Sequence, residues 1–274
     1  MGFLETEYGI VVGPHPMTAD AGLETLKAGG SAIDAAVAAA FTEAVVEPAH
    51  NGVAGYGGCL VAYIAGLDRV IAIDYNTRAP LAVKEDMFPI QYGQDGRSYT
   101  VPGRIHLHGA LSVGVPGIVA GLAFFLEHYG TIQLSDALKP AIRAAQDGFP
   151  VNTATANNIA GLADKLKTGF PDTAKLLLPN GSAPKPGGIL RFSELANTLN
   201  QIASEGAAAF YRGEIAKRIA EYMKNKGGIL SEEDLESYEP AEVEPLRISY
   251  RGYDIFTPPL SSGGLTTLQM LKVL

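Results

Sequence analysis

One cysteine, no tryptophan and only 18% charged residues in a chain of 274 exclude several function classes at once. Cys59 alone cannot close an internal disulfide. Redox C-x-x-C motifs and zinc knuckles need cysteines that are absent, so a metal site would have to use other ligands. No dense Lys/Arg run occurs, and 29 Asp and Glu against 21 Lys and Arg give a formal net charge of -8. That leaves no electrostatic footprint for nucleic acid or an anionic membrane. Glu5 and Glu7 stand where an export signal needs positive charge followed by an apolar run, so the expectation is a cytoplasmic chain that is not exported. What is present is ordinary globular composition, 47% hydrophobic, with enough length for one large domain or two small ones.

Helix signals are strongest near the N-terminus. After an apolar strand at 9–12, Gly13-Pro14-His15-Pro16 forces a turn, and a helix over 17–28 closes on Gly29-Gly30. Ser31 with Asp34 three positions on reads as a capping box. It opens an alanine-rich helix that lasts until Pro48 and is expected to lie buried against a sheet, being too short and too weakly apolar to cross a bilayer. The runs 60–63 and 70–75, separated by Gly66-Leu67-Asp68, predict a hairpin. Residues 91–109 read as an exposed loop and 110–115 as a strand. Pro116 then sits where it would start a helix over 117–128. A helix over 135–146 contains Pro140, which should kink or split it. Helices over 194–204, 213–226 and 265–274, a surface excursion at 171–188 and a strand over 247–257 complete the pattern. Irregular alternation of strands and helices points to an α+β or layered αββα class.

Few motifs carry chemistry unaided. Gly52, Gly55, Gly57 and Gly58 lead into a strand, where a dinucleotide loop would leave one, and are read as a close backbone crossing. Gly114-Val115-Pro116-Gly117 follows a strand and opens a helix, so its N–H groups could receive an anion, although most such turns are only turns. Cys59 reads as a packed thiol rather than a nucleophile; a hydrolase using it is the rival that Cys59→Ala would eliminate. His106 and His108 would share a strand face but have no matching carboxylate, His15 is a turn residue, and Ser261-Ser262 contribute hydroxyls to backbone groups. Arg78 stands apart. It follows a strand and immediately precedes Ala79-Pro80, where a guanidinium can grip a carboxylate in bidentate fashion; the plainer reading is a surface arginine paired with Asp74 or solvent.

Several segments in order resemble the γ-glutamyltransferase (γ-glutamyltranspeptidase) family of N-terminal-nucleophile hydrolases. They include Gly13-Pro14-His15-Pro16, Leu26 to Ala39, Val46-Glu47-Pro48, Gly55-Tyr56-Gly57-Gly58, Val113-Gly114-Val115-Pro116-Gly117, Gly148-Phe149-Pro150-Val151, Ala209-Phe210-Tyr211-Arg212-Gly213, Tyr250-Arg251-Gly252-Tyr253 and Pro258 to Gly264. The resemblance implies an αββα four-layer sandwich, incomplete in this chain, with residues 1–274 as one large-subunit portion and no separate second domain. It also implies transfer or hydrolysis of a γ-glutamyl group, from glutathione or a related small molecule, through a threonine at the N-terminus of a small subunit. That threonine belongs to a Thr-x-His-x-x-Val-x-Asp motif, and no threonine here has histidine two positions later. The expected partner is therefore a small subunit or C-terminal half carrying the threonine. This chain alone is expected to be inactive, with no catalytic residue, cofactor or metal of its own. Family members are often periplasmic or extracellular.

One departure bears on specificity. Where typical members read Asp-Phe-Arg-Glu-x-Ala-Pro, with that arginine on the substrate α-carboxylate, this chain reads Asp74-Tyr75-Asn76-Thr77-Arg78-Ala79-Pro80. Asn76 holds the arginine's place. Arg78 lies two residues on, on the same side of an extended strand and roughly 6.6 Å away, and is the expected substrate-binding residue. Divergent relatives with arginine directly before Ala-Pro include acylases and amidases, so a related acylase is the alternative reading, beside a truncated, non-catalytic family member.

Overall fold

The structure, a computed structural model, describes residues 9–260 and 262–274. The readings placed on Glu5, Glu7 and Ser261 lie outside the described residues. Helix α1 (Pro16–Lys27) starts where His15 Nδ1 accepts the Met17 N–H at 3.2 Å, and ends before Gly29, whose φ of +92° favours glycine. Helix α2 (Ala32–Val46) opens on the expected capping box: Ser31 Oγ accepts the Asp34 N–H while the Asp34 carboxylate accepts the Ser31 N–H. The predicted hairpin is β1 (Cys59–Ile64) with β2 (Arg69–Asp74), turned through a left-handed Asp68. Two-residue strands β3 (Gln91–Tyr92) and β4 (Tyr99–Thr100) pair within the exposed loop. Then come α3 (Ile118–Tyr129), α4 (Leu134–Asp147), β5 (Phe149–Pro150), α5 (Thr153–Gly169), α6 (Pro171–Leu177), β6 (Ile189–Leu190) and α7 (Ser193–Glu205). The chain finishes with α8 (Ala208–Tyr211), α9 (Glu214–Asn225), α10 (Glu232–Glu236), β7 (Ala241–Val243), β8 (Leu246–Tyr250), β9 (Tyr253–Thr257) and α11 (Gly264–Val273). Helices mixed with antiparallel strands make this the α+β class read from the sequence.

Two compact units divide the chain, residues 1–55 with 122–206 and residues 56–121 with 207–274. In the first, α2 packs on α1 and α4, and α4 on α7. Its fully buried residues include Val37, Phe41, Leu138, Phe149, Leu199 and Ile202. Within this unit the neighbours of α2 are helices rather than the expected sheet, because alanine-rich surfaces admit close helix–helix contact as readily as helix–sheet contact. In the second unit a three-stranded antiparallel sheet runs β1-β2-β7, with Ile71, Ala72 and Ile73 buried in its central strand. The β8–β9 hairpin carries α11.

Four local expectations fail. Residues 9–12 form no strand; Ile10 and Val12 are 53% and 86% exposed. Residues 110–112 form a 3-10 turn, and only Val115 makes a bridge, because Ala110 to Ser112 includes no β-branched residue to favour a pleat. The single strand expected over 247–257 is the hairpin β8–β9, whose turn places Arg251 at φ +50° and Gly252 at φ +84°. Pro140 lies within an unbroken α4.

Candidate functional site

The site is built where β2 ends. Asp74 Oδ1 accepts both the backbone N–H of Asn76 at 3.0 Å and its Nδ2 amide at 2.8 Å, a local turn that folds the Asn76 side chain back on its own segment. Tyr75 and Thr77 still donate backbone N–H groups to Gly58 and Tyr56 at 2.9 and 2.8 Å. Glycine lets these chains close up. Gly57 has φ +91°, and a Cβ there would lie 2.2 Å from the Tyr75 carbonyl oxygen, so of the glycines read as a close crossing it is Gly57 that makes one with this segment. On the other side Thr77 Oγ1 donates to the Val115 carbonyl at 2.8 Å, and Val115 N–H donates to the Arg78 carbonyl at 2.8 Å. A Cβ on Gly114 would meet Thr77 Oγ1 at 2.3 Å, and one on Gly117 would meet the Tyr75 carbonyl oxygen at 1.9 Å.

Arg78 emerges from this knot exposed to solvent. It is not paired with Asp74. Its Nη2 donates to the Glu239 carbonyl at 2.7 Å, and its guanidinium carbon stands 5.2 Å from the ring centroid of Tyr238. Tyr238 donates its hydroxyl to the Asn76 carbonyl at 2.8 Å and stacks on Tyr211, with centroids 5.7 Å apart and rings 12° from parallel. Tyr211 in turn donates to the Pro116 carbonyl at 2.9 Å and accepts the Ala120 N–H at 3.0 Å. One of the N–H groups at this helix start is thus already taken. Helix α10 begins on a second capping box, Ser231 with Asp234, and Asp234 Oδ1 also accepts the Leu81 N–H at 2.6 Å, fixing the chain just past Arg78-Ala79-Pro80. The arrangement presents one exposed cation, its guanidinium over the Tyr238 ring and one of its donors on the Glu239 carbonyl. A guanidinium's fork of N–H donors matches a carboxylate in bidentate geometry.

Burial raises both tyrosine pKa values; for Tyr238 the result is about 12, with Arg78 opposing the rise and Asp74 and Tyr75 adding to it. A tyrosine held protonated in the folded state, but titrating near its usual pKa of about 10 when unfolded, contributes stability that is intact below about pH 10. That contribution is lost as pH climbs through about 12. Denaturant unfolding at pH 8, 10 and 11 should therefore show falling stability across that window, with a shallower fall in Tyr238→Phe; parallel profiles would contradict this coupling.

The other sequence candidates fall elsewhere. Cys59 is half-buried and pairs across the ladder with Asp74. Burial first and Asp74 second raise its pKa, against a hydrogen bond with Ser262, so its thiolate is disfavoured. His106 and His108 lie in a turn, not on a strand face, and His106 sits edge-on to Phe88. No group of three or more His, Cys, Asp or Glu residues able to hold a metal occurs among the described residues. His15 is buried at the start of α1 with Nε2 2.9 Å from the Pro150 carbonyl. Ser262 Oγ donates to the Pro259 carbonyl at 3.2 Å. Sequence reading gave no site role to Tyr238, Glu239, Tyr211 or Asp234; the available signals were the Ala209 to Gly213 segment and Ser231-x-x-Asp234, a repeat of the spacing recognised at Ser31 and Asp34.

Comparison with known proteins decides the family. The Gamma-glutamyltranspeptidase family profile matches residues 18–274. The chain belongs to that family. It is 38% identical over 268 residues to the glutathione hydrolase proenzyme of Bacillus subtilis, covering 97% of this chain and 44% of that protein. Against the acylase ACY 1 proenzyme of Pseudomonas sp. strain V22 the identity is also 38%, over 97% of this chain and 47% of that protein. The chain thus spans less than half the length of the curated relatives it matches. Among solved structures, Helicobacter pylori γ-glutamyltranspeptidase superposes with a TM-score of 0.90 at 36% identity, covering 99% of this chain and 76% of that one. No helix of the described residues is long and apolar enough to cross a membrane.

Proposed function

We propose that this chain is the large-subunit portion of a γ-glutamyltransferase-like enzyme. It would transfer or hydrolyse a γ-glutamyl or related acyl group through a threonine supplied by a small subunit or C-terminal half. In this reading Arg78 binds the substrate carboxylate. The observation that supports it most is the presentation of the Arg78 guanidinium, exposed yet held at the Glu239 carbonyl and over Tyr238. The chain's own role is then to position the acyl donor. Nucleophile, general base and oxyanion donors have to converge on one carbonyl, and here they are assigned to the missing part, because no threonine in this sequence precedes histidine by two positions.

The test is turnover of a chromogenic γ-glutamyl amide. The isolated 274-residue chain should give none above buffer, and co-expression with a segment carrying Thr-x-His-x-x-Val-x-Asp should restore it. Turnover by the isolated chain would sink the proposal. A second reading, an acylase acting on another carboxylate-bearing amide, is favoured by Asn76. Its side chain is turned back onto Asp74 rather than outward, so the grip falls to a cation two residues further along. Comparing γ-glutamyl and aliphatic acyl amides in the restored enzyme separates the two.

A further inference from the structure

We propose that Tyr238 is a positioning residue for Arg78: its ring is a platform that fixes the direction of the guanidinium before substrate arrives. This rests on the reading of Arg78 as the carboxylate anchor. An exposed arginine ordinarily samples many rotamers, and ordering it on binding costs affinity. Here that ordering is already supplied. The guanidinium carbon lies 5.2 Å from the Tyr238 centroid and Nη2 is tied to the carbonyl of the adjacent residue, Glu239, at 2.7 Å. Ring face and carbonyl thus come from consecutive residues and address the same group.

The platform is itself immobilised. Tyr238 is 6% exposed, its hydroxyl is tied to Asn76 in the segment that carries Arg78, and its ring stacks on Tyr211 with centroids 5.7 Å apart. Tyr211 is anchored at both ends of its hydroxyl by the Pro116 carbonyl and the Ala120 N–H. Asp234, four residues before Tyr238, accepts the Leu81 N–H, so α10 and the residues just after it hold the Arg78 loop at ring, carbonyl and backbone. The ring is thus tied to the backbone before Arg78, and α10 to the backbone after it.

The experiment uses the 274-residue chain and glutathione as probe. In the ligand-free chain the Arg78 side-chain signal, assigned by its disappearance in Arg78→Ala, should show slow rotation about Nε–Cζ by 15N NMR. Tyr238→Leu should average it, and Tyr238→Phe, which keeps the ring, should largely restore it. The dissociation constant for glutathione should rise two- to fivefold in Tyr238→Leu, as expected for about 0.5–1 kcal/mol of cation–π interaction, and recover in Tyr238→Phe. In an Arg78→Ala background Tyr238→Leu should add nothing, which a purely structural role for the ring would not produce. Parent-like rotation and affinity in Tyr238→Leu would overturn the proposal. If Arg78→Ala leaves glutathione affinity unchanged, or the parent chain does not bind, the carboxylate reading of Arg78 fails, while rotation in the free chain still decides the role of Tyr238. Should Tyr238→Leu not fold, Tyr238→Met carries the same expectations.

Discussion

Asp34→Ala should lower the unfolding free energy by about 2–3 kcal/mol, because it removes a charged acceptor that several donors share. Asp34 is fully buried. Its carboxylate accepts the Ser31 N–H at 2.7 Å and Ser31 Oγ at 2.9 Å, and from a segment 97 residues away the Thr131 N–H at 2.8 Å and Thr131 Oγ1 at 2.6 Å. The capping box therefore does two things: it starts α2 and it ties down the chain between α3 and α4. Burial alone would raise the Asp34 pKa, but the hydrogen bonds from Thr131 and Ser31 outweigh it and the net shift is downward. Its stabilisation is thus present above the unfolded carboxylate pKa near 4 and is lost as pH falls through the lower folded value. Guanidinium unfolding of the variant at pH 7 measures the loss. A change under 1 kcal/mol would show that the segment at 131–132 is held by other means.

Gly117→Ala should cost about 3 kcal/mol and disrupt the Arg78 site, since overpacking against backbone cannot be relieved by a rotamer change. An added Cβ would lie 1.9 Å from the Tyr75 carbonyl oxygen and 2.3 Å from the Tyr238 hydroxyl. To make room, Tyr75 or Tyr238 must move, and either movement disturbs the frame that holds Arg78. The same crowding recurs at Gly121, whose Cβ would sit 2.2 Å from the Tyr75 ring. Near-UV circular dichroism is a direct readout, because the chain has no tryptophan and its tyrosines and phenylalanines supply the aromatic signal. A parent-like spectrum with parent-like stability would contradict this packing.

How far the sequence discloses the molecule depends on how local each cause is. Ser31 and Asp34, Gly29-Gly30, and the β-branched runs flanking Gly66-Leu67-Asp68 act within a few residues, and the elements they predict lie within a residue or two of α1, α2 and the β1–β2 hairpin. Helix α5 is hard to see in the sequence because Thr153 to Asn158 is rich in residues that compete with helix. It is started by Asn152, whose side chain accepts the Thr155 N–H at 2.8 Å, and an asparagine marks a helix start only when the residues after it are helical. The Arg251-Gly252 turn is hidden within a run that otherwise reads as one strand. At the site, Arg78 is legible from its position before Ala79-Pro80. Its supports are not: Tyr238 and Glu239 lie about 160 residues away along the chain, and only folding brings them to the guanidinium.

In the proposed function Arg78 is the group on this chain that holds the substrate's carboxylate. Calorimetric titration of glutathione into the parent chain and Arg78→Ala, repeated with glutathione whose glutamyl α-carboxylate is esterified, tests it most directly. A charge-assisted pair predicts about a tenfold or greater loss of affinity on removing either the guanidinium or the carboxylate charge, and little further loss on removing both. Equal affinity of parent and Arg78→Ala for the free carboxylate would contradict it.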